Sequence, residues 1–130
     1  MNHRIIMTAA ILLLASSGAY AADEISLVGT WIGHRERAAK VEGWHDGTAT
    51  LVVTEQRGLT FTGSLKRANA DGDVEEKLWG AFTPAGRLIV GADEEGTYAF
   101  ELVDANTLDY CYTEAGAAPR AVCARLFRQP

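Results

Sequence analysis

The sequence predicts an all-β fold, either an eight-stranded antiparallel up-and-down barrel or a two-sheet β-sandwich. Three observations carry this. Short runs rich in Val, Thr, Leu and aromatic residues follow one another from residue 27 to the C-terminus. Turn-forming residues separate them at short intervals. Beyond residue 26, only the stretch 36–42 hints at a helical repeat.

The chain opens with a segment that does not belong to the fold. Arg4 supplies a positive head, an apolar run covers 5–15, and small residues lead to Ala19-Tyr20-Ala21. These are the parts of a secretory signal peptide. The run is shorter than the roughly 20 apolar residues that span a bilayer. Cleavage after Ala21 is expected, leaving 22–130 as a single periplasmic or secreted domain with no membrane span. No cysteine stands at the junction to accept a lipid.

The eight runs cover 27–35, 47–56, 59–67, 74–83, 87–92, 97–103, 107–114 and 120–128. Several alternate with period two. Leu59, Phe61, Gly63 and Leu65 face one way, against Thr60, Thr62, Ser64 and Lys66. Tyr98, Phe100 and Leu102 oppose Thr97, Ala99 and Glu101. Turns fall at Arg57-Gly58, Asp71-Gly72, Pro84-Ala85-Gly86, Glu95-Gly96 and Asp104-Ala105-Asn106. Eight short strands in one small domain leave barrel and sandwich both open.

Composition narrows the functional classes. With 130 residues, 48% apolar and 22% charged, the chain is neither disordered nor collagen-like. A net charge of −5 argues against general nucleic-acid binding, which needs a basic face. Two cysteines are too few for a disulfide-stapled miniprotein or a four-ligand zinc ribbon. In an exported chain, Cys111 and Cys123 are expected to form a disulfide. Pairing them across a hairpin also sets Tyr112 against Val122, Tyr110 against Ala124 and Leu108 against Leu126. All of those share one face, as a single register requires. Closing that loop contributes about 3 kcal/mol in the chain-entropy model.

Gly29-Thr30-Trp31, opening the first run, resembles the Gly-x-Trp that opens the first strand of lipocalins and avidins, members of the calycin superfamily. The resemblance implies a closed, calycin-like eight-stranded barrel of the small secreted bacterial kind. It also implies that a basic residue near the end of the last strand packs over the tryptophan at the closed end. Arg128 has the inward parity for that role, so the first and last strands are expected to pair. A guanidinium over an indole face closes the floor by cation–π contact and by hydrogen bonds to nearby carbonyls.

In such a barrel the connections around 36–46, 68–73, 93–96 and 115–119 lie at the open end. The longest, 36–46, is expected to arch over the mouth with Trp44 and His45, His34 standing just before it. Trp44 there would contact a ligand or plug the mouth. His34, His45 and Asp46 form a weak candidate for a divalent metal, and surface histidines account for them better. Asn69, Asp71, Asp73, Glu75 and Glu76 have a calcium-loop flavour but lack the required glycine, so they read as a solvated acidic rim with residues 93–95. Such a rim is expected to repel an anionic partner. No nucleophile elbow, catalytic set or cofactor motif emerges, and the chain is expected not to be an enzyme.

Two functional expectations follow. One is a binding protein holding a small apolar ligand, with Tyr98, Phe100, Tyr110 and Tyr112, beside Phe61, Leu78 and Phe82, either lining an open interior or filling it. The other is an envelope protein-binding module such as an inhibitor of a secreted hydrolase, by analogy with exported bacterial inhibitors of lysozymes and metalloproteases. Its N-terminal arm would be short, covering 22–26.

Overall fold

The computed structural model describes residues 25–69 and 72–130. The expected leader, its cleavage site and Asp71 of the acidic turn lie outside the described residues. The strands are β1 (Gly29–Ala39), β2 (Gly43–Arg57), β3 (Thr60–Asn69), β4 (Gly72–Phe82), β5 (Ile89–Ala92), β6 (Thr97–Asp104), β7 (Thr107–Glu114) and β8 (Arg120–Arg128). They form a closed antiparallel barrel in sequence order, β8 pairing back onto β1. The sandwich alternative is thereby set aside. Closure removes the sheet edges that a sandwich would have to protect.

Alternation decides which side chains fill the interior. Along β3, Phe61, Gly63, Leu65 and Arg67 are buried while Lys66 and Ala68 are exposed. The β7–β8 register is the expected one: Cys111 opposes and is bonded to Cys123, Tyr112 opposes Val122, and Leu108 opposes Leu126. Both cysteines face outward, near Arg125, which grips Asp109 through two hydrogen bonds of 2.7 and 2.9 Å.

The expected seam is present. Trp31 pairs with Arg128 across β1 and β8, and the guanidinium carbon lies 4.2 Å from the indole centroid. Arg128 donates to the carbonyls of Ala105 (3.1 Å), Val28 (3.1 Å) and Ser26 (2.8 Å). Trp31 Nε1 donates to Leu27 O at 3.0 Å. Gln56 holds the same segment from β2, accepting from Leu27 N and donating to Ile25 O. Residues 25–28 therefore plug the floor, where the sequence suggested a free arm and an early strand start. Gly29, with φ of +136°, turns the chain from plug into wall, a conformation an L side chain rarely adopts.

Two further expectations are corrected. The stretch 36–42 is neither helical nor a long loop: β1 runs on to Ala39, β2 begins at Gly43, and only residues 40–42 turn between them. Paired extension beside β8 satisfies backbone groups that an open arch would have left to solvent. The run 87–92 is a strand only over Ile89–Ala92.

Candidate functional site at the open end of the barrel

The floor half of the interior is apolar and the mouth half is not. Inward parity from Trp31 continues up β1 to Arg35 and Arg37, and from Phe61 up β3 to Arg67. Arg35 is fully buried and Arg67 nearly so. His45 and Gly47 on β2 oppose Arg37 and Arg35, while Tyr110 and Arg35 flank Ala124 of β8. Arg120, at the start of β8, lies 5.6 Å from the Tyr112 ring centroid.

Carboxylates reach in from the rim to most of these cations. Arg37 pairs with Glu42 at 2.7 Å, Arg67 with Glu76 at 2.9 Å, and Arg120 with Glu114 at 2.8 Å. Asp93 is held by the backbone N–H groups of Glu95 (2.8 Å) and Gly96 (2.7 Å), with the Tyr112 hydroxyl 3.1 Å away. The acidic rim is thus partly the counter-charge of an internal arginine cluster. Behind the acidic rim, the mouth is lined with buried and half-buried cations.

Proton affinities follow from this packing. Burial lowers the pKa of Arg35, and the charges of Arg67, Arg37 and Arg120 add to that while Tyr110 opposes it. Burial raises Glu76, as does its hydrogen bond with Asp93, against the pull of Arg67. Burial alone would raise Asp93 too, but hydrogen bonds from Glu95, Glu76, Gly96 and Tyr112 outweigh it and hold it low. The two carboxyls are thus driven apart, Glu76 upward and Asp93 downward. Burial pushes Tyr110 up to about 12, with Arg35 and Arg67 pulling the other way.

The residues singled out in the sequence are dispersed by the fold. Tyr98, Phe100, Tyr110 and Tyr112 point inward as expected, but they pack on one another instead of lining an open cup. Tyr98 and Phe100 stack at 5.4 Å, Tyr98 and Tyr112 meet at 4.7 Å, and Phe61 lies edge-on to Phe100 at 5.9 Å. Trp44 is neither lid nor plug: it stands on the outer face of β2, 90% exposed. His34 also faces outward, 3.7 Å from Asp46, whereas His45 faces into the barrel. The wall separates that trio, and no group of three or more metal-ligating side chains forms among the described residues.

The marked hollows lie on the outer wall and at the rim. One of about 530 Å³ runs between Trp44 and Cys123, beside Ala121. Another, about 490 Å³, extends over the disulfide to Phe127. A third, about 240 Å³, is lined by Glu75, Glu76, Lys77, Asp93, Glu94 and Glu95.

No family model matches the chain, and no curated protein does. Among solved structures it is similar to a redesigned β-barrel, with a TM-score of 0.62 and 14% identity. The match covers 88% of this chain and 100% of the other. That likeness shows the barrel fold and nothing finer.

Proposed function

We propose that this chain is an exported, non-enzymatic binding protein on a calycin-like barrel, periplasmic or secreted, whose mouth takes a small ligand. The observation that supports this most is the inward-facing set of Arg35, Arg37, Arg67 and Arg120. A barrel serving only as a scaffold has no need of them, because withdrawing guanidinium groups from water costs several kcal/mol each before pairing. The signal-peptide-like leader and the Cys111–Cys123 disulfide support export. The outer wall bears Glu36, Asp46, Lys66, Lys77, Glu101 and Arg125, and the interior is apolar at the floor, the inverse of a membrane barrel. The packed aromatic cluster favours a ligand seated at the mouth over an apolar one sunk in the cup.

The test is amide chemical-shift mapping of the mature protein against a panel of small molecules, neutral and charged. Shifts should gather in residues 35–47, 67–76, 93–98 and 112–122. A panel without response, or shifts confined to the floor, would remove the reading.

Trp44 favours a second reading. A tryptophan 90% exposed beside an outer-wall hollow suits recognition of a protein partner such as a secreted hydrolase. Inhibition assays against secreted lysozymes and proteases test it. Inhibition unchanged by Trp44→Ala would count against this wall as the contact.

A further inference from the structure

Several side chains at the base of the mouth have buried polar atoms with no hydrogen-bond partner among the described residues. They are Arg67 Nε, Arg37 Nε, Tyr110 Oη and His45 Nε2. Arg67 and Tyr110 are deeply enclosed: the Arg67 side chain is 8% exposed and Tyr110 is 1% exposed. Each of these arginines spends one terminal nitrogen on a rim carboxylate, Arg67 on Glu76 and Arg37 on Glu42, and leaves its Nε–H over. Guanidinium nitrogens can only donate, and a phenol donates readily. Buried donors left without an acceptor cost about 1–3 kcal/mol each, so native proteins seldom keep several together.

These side chains share the inward face at the mouth end of neighbouring strands. Tyr110 lies within electrostatic reach of both Arg35 and Arg67, and Arg35 within reach of Arg37 and Arg120. Beside them Gly47 carries no side chain. A Cβ there would stand 3.7 Å from His45 Nε2, 3.9 Å from Arg35 Nε and 3.1 Å from Ala68 O. The missing Cβ keeps the wall thin where these groups converge.

We propose that the base of the mouth, formed by Arg37, Arg67, His45 and Tyr110 beside Arg35, binds the oxyanion group of a small ligand, a carboxylate or a phosphate. An oxyanion offers several acceptor lone pairs and a negative charge, which is what a converging set of unused donors beside guanidinium groups lacks. Charge-assisted bonds of this kind are roughly twice as strong as neutral ones. The ligand source is either a free anion or the headgroup of an amphiphile whose tail runs out past the rim. This inference rests on the mouth being the binding end, and it adds the chemical class.

The mature protein is titrated with inorganic phosphate, acetate, octanoate and, at matched ionic strength, sodium chloride. The readouts are arginine Nε–Hε resonances and thermal stability. Phosphate, acetate or octanoate should shift the Arg67 and Arg37 Nε–Hε signals saturably, with chloride giving no comparable shift. Octanoate binding tighter than acetate assigns the site to an amphiphile headgroup; equal affinity assigns it to a free anion. Tyr110→Phe, which deletes one oxygen from a packed ring, should weaken binding about tenfold while leaving the fold as stable or more so. Arg37→Gln should also weaken it, whereas Lys66→Gln on the outer wall should not. Signals that do not move, or that move equally with chloride, overturn the proposal. So does undiminished affinity in Tyr110→Phe and Arg37→Gln. If neutral molecules of the wider panel still map to the mouth, the binding reading survives and only the oxyanion assignment falls.

Discussion

Both ends of the barrel set an arginine against an aromatic ring, yet they use it differently. At the floor, Arg128 lies 4.2 Å over Trp31 and places its donors on three backbone carbonyls. At the mouth, Arg120 lies 5.6 Å from Tyr112 and its nearest acceptor is the Glu114 carboxylate. Backbone carbonyls are fixed by the strands and plug that carry them, so the floor is a lock. Carboxylates on side chains can turn, take up protons or exchange partners, so the mouth can rearrange. The difference between the ends is one of acceptor type: immobile and neutral below, mobile and charged above.

The contrast makes the floor the more costly place to cut. Trp31→Ala should have the largest effect, about 3–5 kcal/mol in denaturant unfolding, because a fully buried ring is replaced by a cavity. A loss under about 1 kcal/mol would mean the floor is not the lock described. The double replacement Cys111→Ser/Cys123→Ser releases the one crosslink between β7 and β8 and should cost about 3 kcal/mol by the same measurement. Arg128→Ala should follow at about 1–3 kcal/mol, since it uncovers Trp31 and strands the carbonyls of Ser26, Val28 and Ala105. Arg128→Glu should lose more, an acid being repelled by the ring face.

At the mouth, Arg37→Ala should change stability by no more than about 1 kcal/mol, because its partner Glu42 is well exposed. A cost matching that of Arg128→Ala would erase the distinction between the ends. The finest test concerns pH. Glu76 holds its proton more tightly in the fold than in the unfolded chain, so stability falls as pH rises through its raised value. Asp93 works oppositely, and its contribution is lost as pH falls through its lowered value. Stability measured from neutral to acid pH should therefore rise slightly into the glutamate range and then decline. Glu76→Gln should abolish the rise while the floor variants keep it.

Much of the wall was legible in the sequence because period-two alternation is a local property. Phe61, Gly63 and Leu65 declare their face without reference to any neighbouring strand, and the β7–β8 register followed from matching apolar partners around the two cysteines. The Trp31–Arg128 contact was legible through the resemblance of Gly29-Thr30-Trp31 to the calycin motif, with Arg128 having the matching parity. The mouth was not. Arg35, Arg37 and Arg67 continue the inward parity of Trp31 and Phe61, but a charge on an apolar face reads as the end of a strand. Ending the first run at Arg35 and beginning the second at Gly47 leaves 36–46 as a loop containing Trp44.

By itself, then, the sequence determined the number of strands, most of their faces and the disulfide partner, because each depends on alternation or on pairing within one hairpin, while the seam was reached only through the resemblance to calycins. The tertiary structure decided what the interior holds. Whether Tyr98, Phe100, Tyr110 and Tyr112 line a space or fill it depends on the distance across the barrel, which no single strand encodes. Whether an arginine can point inward depends on carboxylates such as Glu76 and Glu42 arriving from other strands and turns. A buried cation is tolerated only when several separate segments converge on it, and that convergence exists only once the barrel has closed.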